Sequence, residues 1–143
     1  MLHHFSVEVT EVFRPVRVRL KETKKLPTPN FVSIQPFSDS LEPEPGAPAP
    51  ERVISGSPEF RTWNVEEAEG GLYAGIWESS PGKWRIEYDE WEFCHILSGV
   101  SVITEEGGGS VTVRAGTAFV LRPGFKGTWE VLETTRKEYV IRL

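Results

Sequence analysis

From Gly70 to the end of the chain, apolar and polar residues alternate in short runs separated by turn-forming residues. That two-residue period predicts strands at residues 72–77, 84–88, 92–97, 100–104, 110–113, 118–121, 128–133 and 138–142. The breaks carry turn chemistry: Pro81-Gly82, Gly107-Gly108-Gly109, Ala115-Gly116 and Pro123-Gly124. Eleven of the thirteen glycines fall in this part. The only helical candidate is a single turn around Val65 to Glu69. Many short, evenly spaced strands predict a sandwich or a closed barrel. Within Phe93-Cys94-His95-Ile96-Leu97 both faces are apolar, so this strand calls for a second layer over its outer side.

The first half of the chain reads differently. Residues 5 to 20 also alternate, through Phe5, Val7, Val9, Val16, Val18 and Leu20, but Pro15 limits them to short strands or an edge arm. Residues 27–58 contain eight of the eleven prolines, and that spacing predicts no regular element. Phe31, Val32, Ile34 and Phe37 mark part of this stretch as a segment that docks on an apolar surface. The expected organisation is an N-terminal strand arm at 1–26, a Pro-rich linker or docking arm at 27–60, and a β-barrel at 61–143.

Composition narrows the class. Of the 143 residues, 38% are hydrophobic and 26% charged, the balance of a soluble globular domain with a real core. No apolar run reaches the roughly 20 residues of a membrane-spanning helix, and the first residues do not read as a secretory leader. Cys94 is the single cysteine, so no internal disulfide forms, and a cytoplasmic location is expected. The net charge of −5 argues against a nucleic-acid partner. The densest basic stretch, Arg14 to Lys25, alternates with Val16, Val18 and Leu20 and reads as the solvated face of a strand.

Two segments point to a family. The first runs from Pro81 to Gly99 and the second from Gly116 to Val131, and they resemble the two conserved motifs of the cupin superfamily. Glu92 to Gly99, Gly127 to Glu133, Arg136-Lys137 with Tyr139, Gly75 to Glu78 and Ser55 to Glu59 further resemble the ureidoglycine-aminohydrolase-like cupins. The resemblance covers about residues 55 to 143 and implies an all-β, double-stranded β-helix, the RmlC-like jelly roll. It also implies a metal site of two histidines, a glutamate and a third histidine. Carried onto this chain, those positions fall at Ile86, Tyr88, Glu92 and Gly127, so only the glutamate remains. His95 lies three residues from Glu92 and faces the other side of the strand, while His3 and His4 stand at the terminus. No metal or other cofactor is therefore expected; manganese, iron or zinc would enter only with the aminohydrolase reading.

Strand parity gathers a different set inside the barrel. Tyr88, Glu92, Cys94 and Trp129 share the inward face, Tyr139 is expected on a neighbouring strand, and Arg122 and Lys137 are candidate partners for the carboxylate. Such a pocket is mostly apolar with a few converging polar groups, as small-molecule sites are. Each residue also has a structural reading: Trp129 as core, Cys94 as a small buried hydrophobe, Glu92 as half of a buried pair. Glu92 is the candidate general base if desolvation leaves it without a cation. Arg136 and Lys137 are expected to pair with Glu130 or Glu133, and Glu87, Asp89 and Glu90 to form a solvated acidic rim. The leading function is a metal-free cupin that binds a small polar organic molecule. Its alternatives are a metal-dependent aminohydrolase-like enzyme and a structural or oligomerisation cupin. A homodimer is the expected assembly.

Overall fold

The structure is a computed structural model and describes residues 33–143. The alternating stretch at 5 to 20, the basic run at 14 to 25, and Phe31 and Val32 lie outside the described residues. Nine strands follow in order: β1 (Glu44–Gly46), β2 (Val53–Gly56), β3 (Phe60–Ala68), β4 (Leu72–Ser79), β5 (Gly82–Glu87), β6 (Trp91–Glu105), β7 (Ser110–Arg114), β8 (Ala118–Leu121) and β9 (Lys126–Arg142). A 3-10 turn at Pro50–Arg52 precedes β2. The fold is all-β, as the alternation predicts, and of the jelly-roll type that the cupin resemblance implies.

Two long strands organise it. β9 pairs with β6 along nearly its whole length, while its other edge carries β5 in the first half and β4 in the second. β6 likewise takes β8 beside residues 92–95 and β7 beside residues 100–104. Each long strand is therefore paired along both edges within one nine-stranded sheet, and the sheet curls where the register slips, between Ile96 and Ser101. Gly99 sits in that bend with φ +91, and a side chain there would run into the Thr134 carbonyl oxygen. All pairs are antiparallel. The inner faces bury Phe60, Trp77, Trp84, Ile86, Ile96, Ile103, Val113, Trp129, Val131 and Ile141 in one core.

Several expectations need correction. The helical turn expected at Val65 to Glu69 is strand through Ala68, because Glu66, Glu67 and Ala68 pair with Ala74, Tyr73 and Leu72 of β4, and Glu69 opens the turn between them. The segments 92–97 and 100–104 are one strand, as are 128–133 and 138–142, since a bulge bends a strand without ending its ladder. The Pro-rich stretch does hold regular structure. β1 pairs with β3, and β2 pairs with β5. Proline is tolerated in β1 because the strand lies at the sheet edge.

The Pro-rich segment also supplies part of the outer layer that two-sided strands require. Trp63 of β3 donates its indole N–H to the Leu41 carbonyl at 2.8 Å. The Arg61 and Arg136 guanidiniums lie 5.2 and 4.8 Å from the same ring. Arg136 reaches Asp39 of the arm at 2.6 Å and Glu78 of β4 at 2.9 Å. Arg136 thus pairs with these acids rather than with Glu130 or Glu133, because the outer face of β9 looks toward β4 and the arm. Ile34 and Phe37 remain exposed in the described chain.

Candidate functional site

Alternation along β6 and β9 decides which side chains meet inside. On β6, Glu92, Cys94 and Ile96 are buried, whereas Phe93 and His95 are half-buried on the other side. On β9, Trp129, Val131, Thr135, Lys137, Tyr139 and Ile141 point inward at the same two-residue step. Register then sets Cys94 opposite Tyr139 and Ile96 opposite Lys137. His95 is turned away from Glu92 and bonds Glu138 at 3.1 Å on the outer face.

The inward residues form a closed polar knot. Tyr88 donates its hydroxyl to Glu92 Oε1 at 2.5 Å, and Lys137 Nζ bonds Glu92 Oε2 at 2.8 Å. The same ammonium lies 3.6 Å from Cys94 Sγ. It also sits 4.7 Å from the Trp77 ring centre and 4.5 Å from that of Trp129, so two aromatic faces flank it. Lys137 and Glu92 are only 4% and 2% exposed. Burial opposes the lysine charge, but interactions with Cys94 and Glu92 outweigh it and raise the ammonium pKa. Lys137 therefore belongs to Glu92, not to Glu130 or Glu133, because its position on β9 faces inward.

Burial, together with the Glu92 charge, pushes the Tyr88 phenol and the Cys94 thiol well above their ordinary values. Tyr88 is thus a neutral donor, and Cys94 is a protonated, buried thiol rather than a nucleophile. Tyr139 is raised in the same way and bonds Asn64 Oδ1 at 2.7 Å. Its hydroxyl reaches Asn64 beside Gly75, where any side chain would collide with it. Trp129 closes the neighbouring space. It donates to Ser101 Oγ at 3.1 Å, meets Trp77 edge-on at 5.6 Å and touches Phe119 at 6.1 Å.

The pocket expected from parity accordingly divides in two. Tyr88, Glu92, Cys94, Trp129, Lys137 and Tyr139 come together, but they fill the interior, and their polar atoms are bonded to one another or to Ser101 and Asn64. Arg122 stands apart, exposed after β8, on the wall of a separate cleft of about 460 Å³. The inner-face residues Ile103, Val111, Phe119 and Leu121 line this cleft together with Phe125. Glu105 and Arg122 are the charged residues along it. Phe125 packs edge-on against Tyr88 at 6.2 Å, so an aromatic layer separates the cleft from the polar knot. Parity from Glu92 alone could not reveal the cleft, because its walls also need β7, β8 and the turn at residues 122–125 set beside β6.

The profile of the EutQ-like cupin domain matches residues 66–139, just over half of the chain. The chain belongs to the EutQ-like cupin domain family. Among solved structures, this cupin is similar to a protein of unknown function from Pseudomonas syringae pv. tomato, at 26% identity and TM-score 0.67. That match covers 73% of this chain and 46% of the other. It is also similar to the EutQ protein of Clostridium difficile, at 19% identity and TM-score 0.54, covering 60% and 64% of the two chains. A third similar structure is ectoine synthase from P. lautus, at 16% identity and TM-score 0.55, covering 64% and 69%. The last two likenesses show the fold alone. This cupin spans less than half the length of the first of these proteins and under two thirds of the second. No curated protein sequence matches it.

Cupins that hold a metal set the standard for this one, and its residues do not fit. Ile86 and Gly127, two of the four ligand positions, lie directly opposite each other on β5 and β9 and carry no donor. A side chain at 127 would run into the Thr104 carbonyl oxygen, so even a histidine there would have no room without moving β6. Tyr88 and Glu92 are bonded to each other, and the face of Glu92 that a cation would take is held by the Lys137 ammonium. No group of three or more His, Cys, Asp or Glu side chains is arranged for a metal among the described residues.

Proposed function

We propose that this EutQ-like cupin binds a small organic molecule, without a transition metal, in the cleft between β6, β7, β8 and the turn at residues 122–125. The observation that carries the proposal is the cleft itself. It offers about 460 Å³ in which the apolar residues Ile103, Val111, Phe119, Leu121 and Phe125 meet the charged residues Glu105 and Arg122. That is the composition from which small molecules gain affinity by burial and specificity by a few bonds. The ion pair of Glu92 and Lys137 supports the metal-free part of the reading, and it assigns Glu92 to holding the interior rather than to proton transfer.

The finer placement among ureidoglycine-aminohydrolase-like cupins rests on the motifs at Glu92 to Gly99 and Gly127 to Glu133. It belongs to this reading as kinship, without the metal-dependent activity. A second reading, a structural or oligomerisation cupin, is favoured by the satisfied interior and by Leu97 and Leu132 left exposed on the outer face. A homodimer through that face is part of it.

A thermal-shift screen of polar metabolites on the wild type and on Val111→Trp separates the two readings. Val111 is half-exposed on β7 and lines the cleft, so tryptophan there fills the space without entering the core. The ligand reading expects stabilisation by at least one compound and loss of that stabilisation in the variant. No stabilising compound, or equal stabilisation of the variant, would leave the structural reading standing.

A further inference from the structure

Two opposite charges face the cleft without neutralising each other. Arg122 follows β8 on one wall, and Glu105 ends β6 at the β6–β7 hairpin on another. Neither makes an ion pair or a side-chain hydrogen bond among the described residues, although Arg61, Arg136, Lys126 and Lys137 all do. The floor between them is apolar: Ile103, Phe119, Leu121 and Phe125.

Resting on the reading of the cleft as a ligand site, we propose that its ligand is a small zwitterion with an apolar body. This is an amino carboxylate whose carboxylate sits on Arg122 and whose ammonium turns toward Glu105. A guanidinium takes a carboxylate through two parallel hydrogen bonds, and a carboxylate is the natural acceptor for an ammonium. An apolar floor strengthens both attractions by excluding water once the ligand is seated. A ligand with only one of the charges forgoes one of the two attractions. A cleft of about 460 Å³ has room for an amino acid with a branched or aromatic side chain.

Calorimetric titration of the full chain with leucine, methionine and phenylalanine tests the proposal. Each is set against the matching acid without the amine and the matching amine without the acid. At least one amino acid is expected to bind tenfold or more tightly than both of its one-charge counterparts. Arg122→Gln should bring it down to the level of the amine, and Glu105→Gln to the level of the acid. Both residues are exposed, so these variants are expected to fold, and the melting temperature verifies it. Equal binding of an amino acid and either counterpart overturns the zwitterion, as does an unchanged affinity in either variant or no binding by any of the nine compounds. In each of those cases the ligand site itself stands or falls separately, by whether Val111→Trp removes the stabilisation found in the metabolite screen.

Discussion

Lys137 is the residue on which the interior turns. A lone buried carboxylate costs several kcal/mol, and so does a lone buried ammonium; together, at 2.8 Å and between two indole faces, they cancel most of that cost. Replacing Lys137 by methionine should therefore destabilise the protein by about 3–5 kcal/mol, because it strands Glu92. Pairing it with Glu92→Gln should recover much of the loss, since both charges then leave together. Urea unfolding of the two single variants and the double variant checks this, and simple additivity would contradict the coupling. How far these residues could be read in advance depends on parity. Stepping by two from Glu92 reaches Cys94, and stepping by two from Gly127 reaches Trp129, which is why they are legible in the sequence. The same step back from Tyr139 lands on Lys137, yet the neighbouring glutamates at 130 and 133 offer an equally plausible surface partner in one dimension. Only the register that sets Lys137 opposite both Trp77 and Ile96 decides between them.

At the level of elements, the Pro-rich arm is tied to the barrel by charges as much as by its edge strand. Arg136 holds the Asp39 carboxyl below its ordinary 3.8 through a hydrogen bond. At Glu78 burial pulls upward, but Arg61 and Arg136 outweigh it and hold the carboxyl below 4.5. Depressed carboxyls contribute stability that is complete above the unfolded values and is lost as pH falls through the lower folded ones. The arm, held through Asp39, should thus stay docked above about pH 4 and loosen progressively below 3.8. Arg136→Gln should loosen it already at neutral pH. Limited proteolysis within residues 33–49 by an acid-active protease measures both, and equal cleavage at pH 7 and pH 2.5 would refute the linkage. Alternation revealed the strands from β4 onward, but a count of prolines hid β1 and β2. An edge strand needs few ladder bonds, so proline removes little from it. The bends in β6 and β9 were hidden for the complementary reason, because Gly99 looks like a turn in sequence and acts as a hinge within a continuing strand.

For the molecule as a whole, the cupin frame is retained while the chemistry usually placed in it is displaced. The glycines, prolines and the lone Glu92 made the frame legible, because those residues set turns and strand ends. The cleft was not legible, because its lining is drawn from β6, β7, β8 and the following turn, which come together only when the sheet closes. Protein prepared without chelator should contain manganese, iron and zinc far below one equivalent, and adding any of them should not raise the melting temperature. Elemental analysis and a metal titration check this; a stoichiometric ion would restore the aminohydrolase-like reading.

β9 pairs with β4, β5 and β6, so three strands made earlier all wait for one made after them. On the ribosome, residues 60–105 emerge with their inner faces apolar and their shared neighbour still unsynthesised. The barrel cannot close until residues 126–142 are free of the exit tunnel, and the pairings it then makes, such as Trp91 with Arg142, join segments far apart along the chain. Maturation of this protein is thereby a late, all-at-once event, and the interval before it is when nascent chains are most exposed to aggregation and most in need of a chaperone.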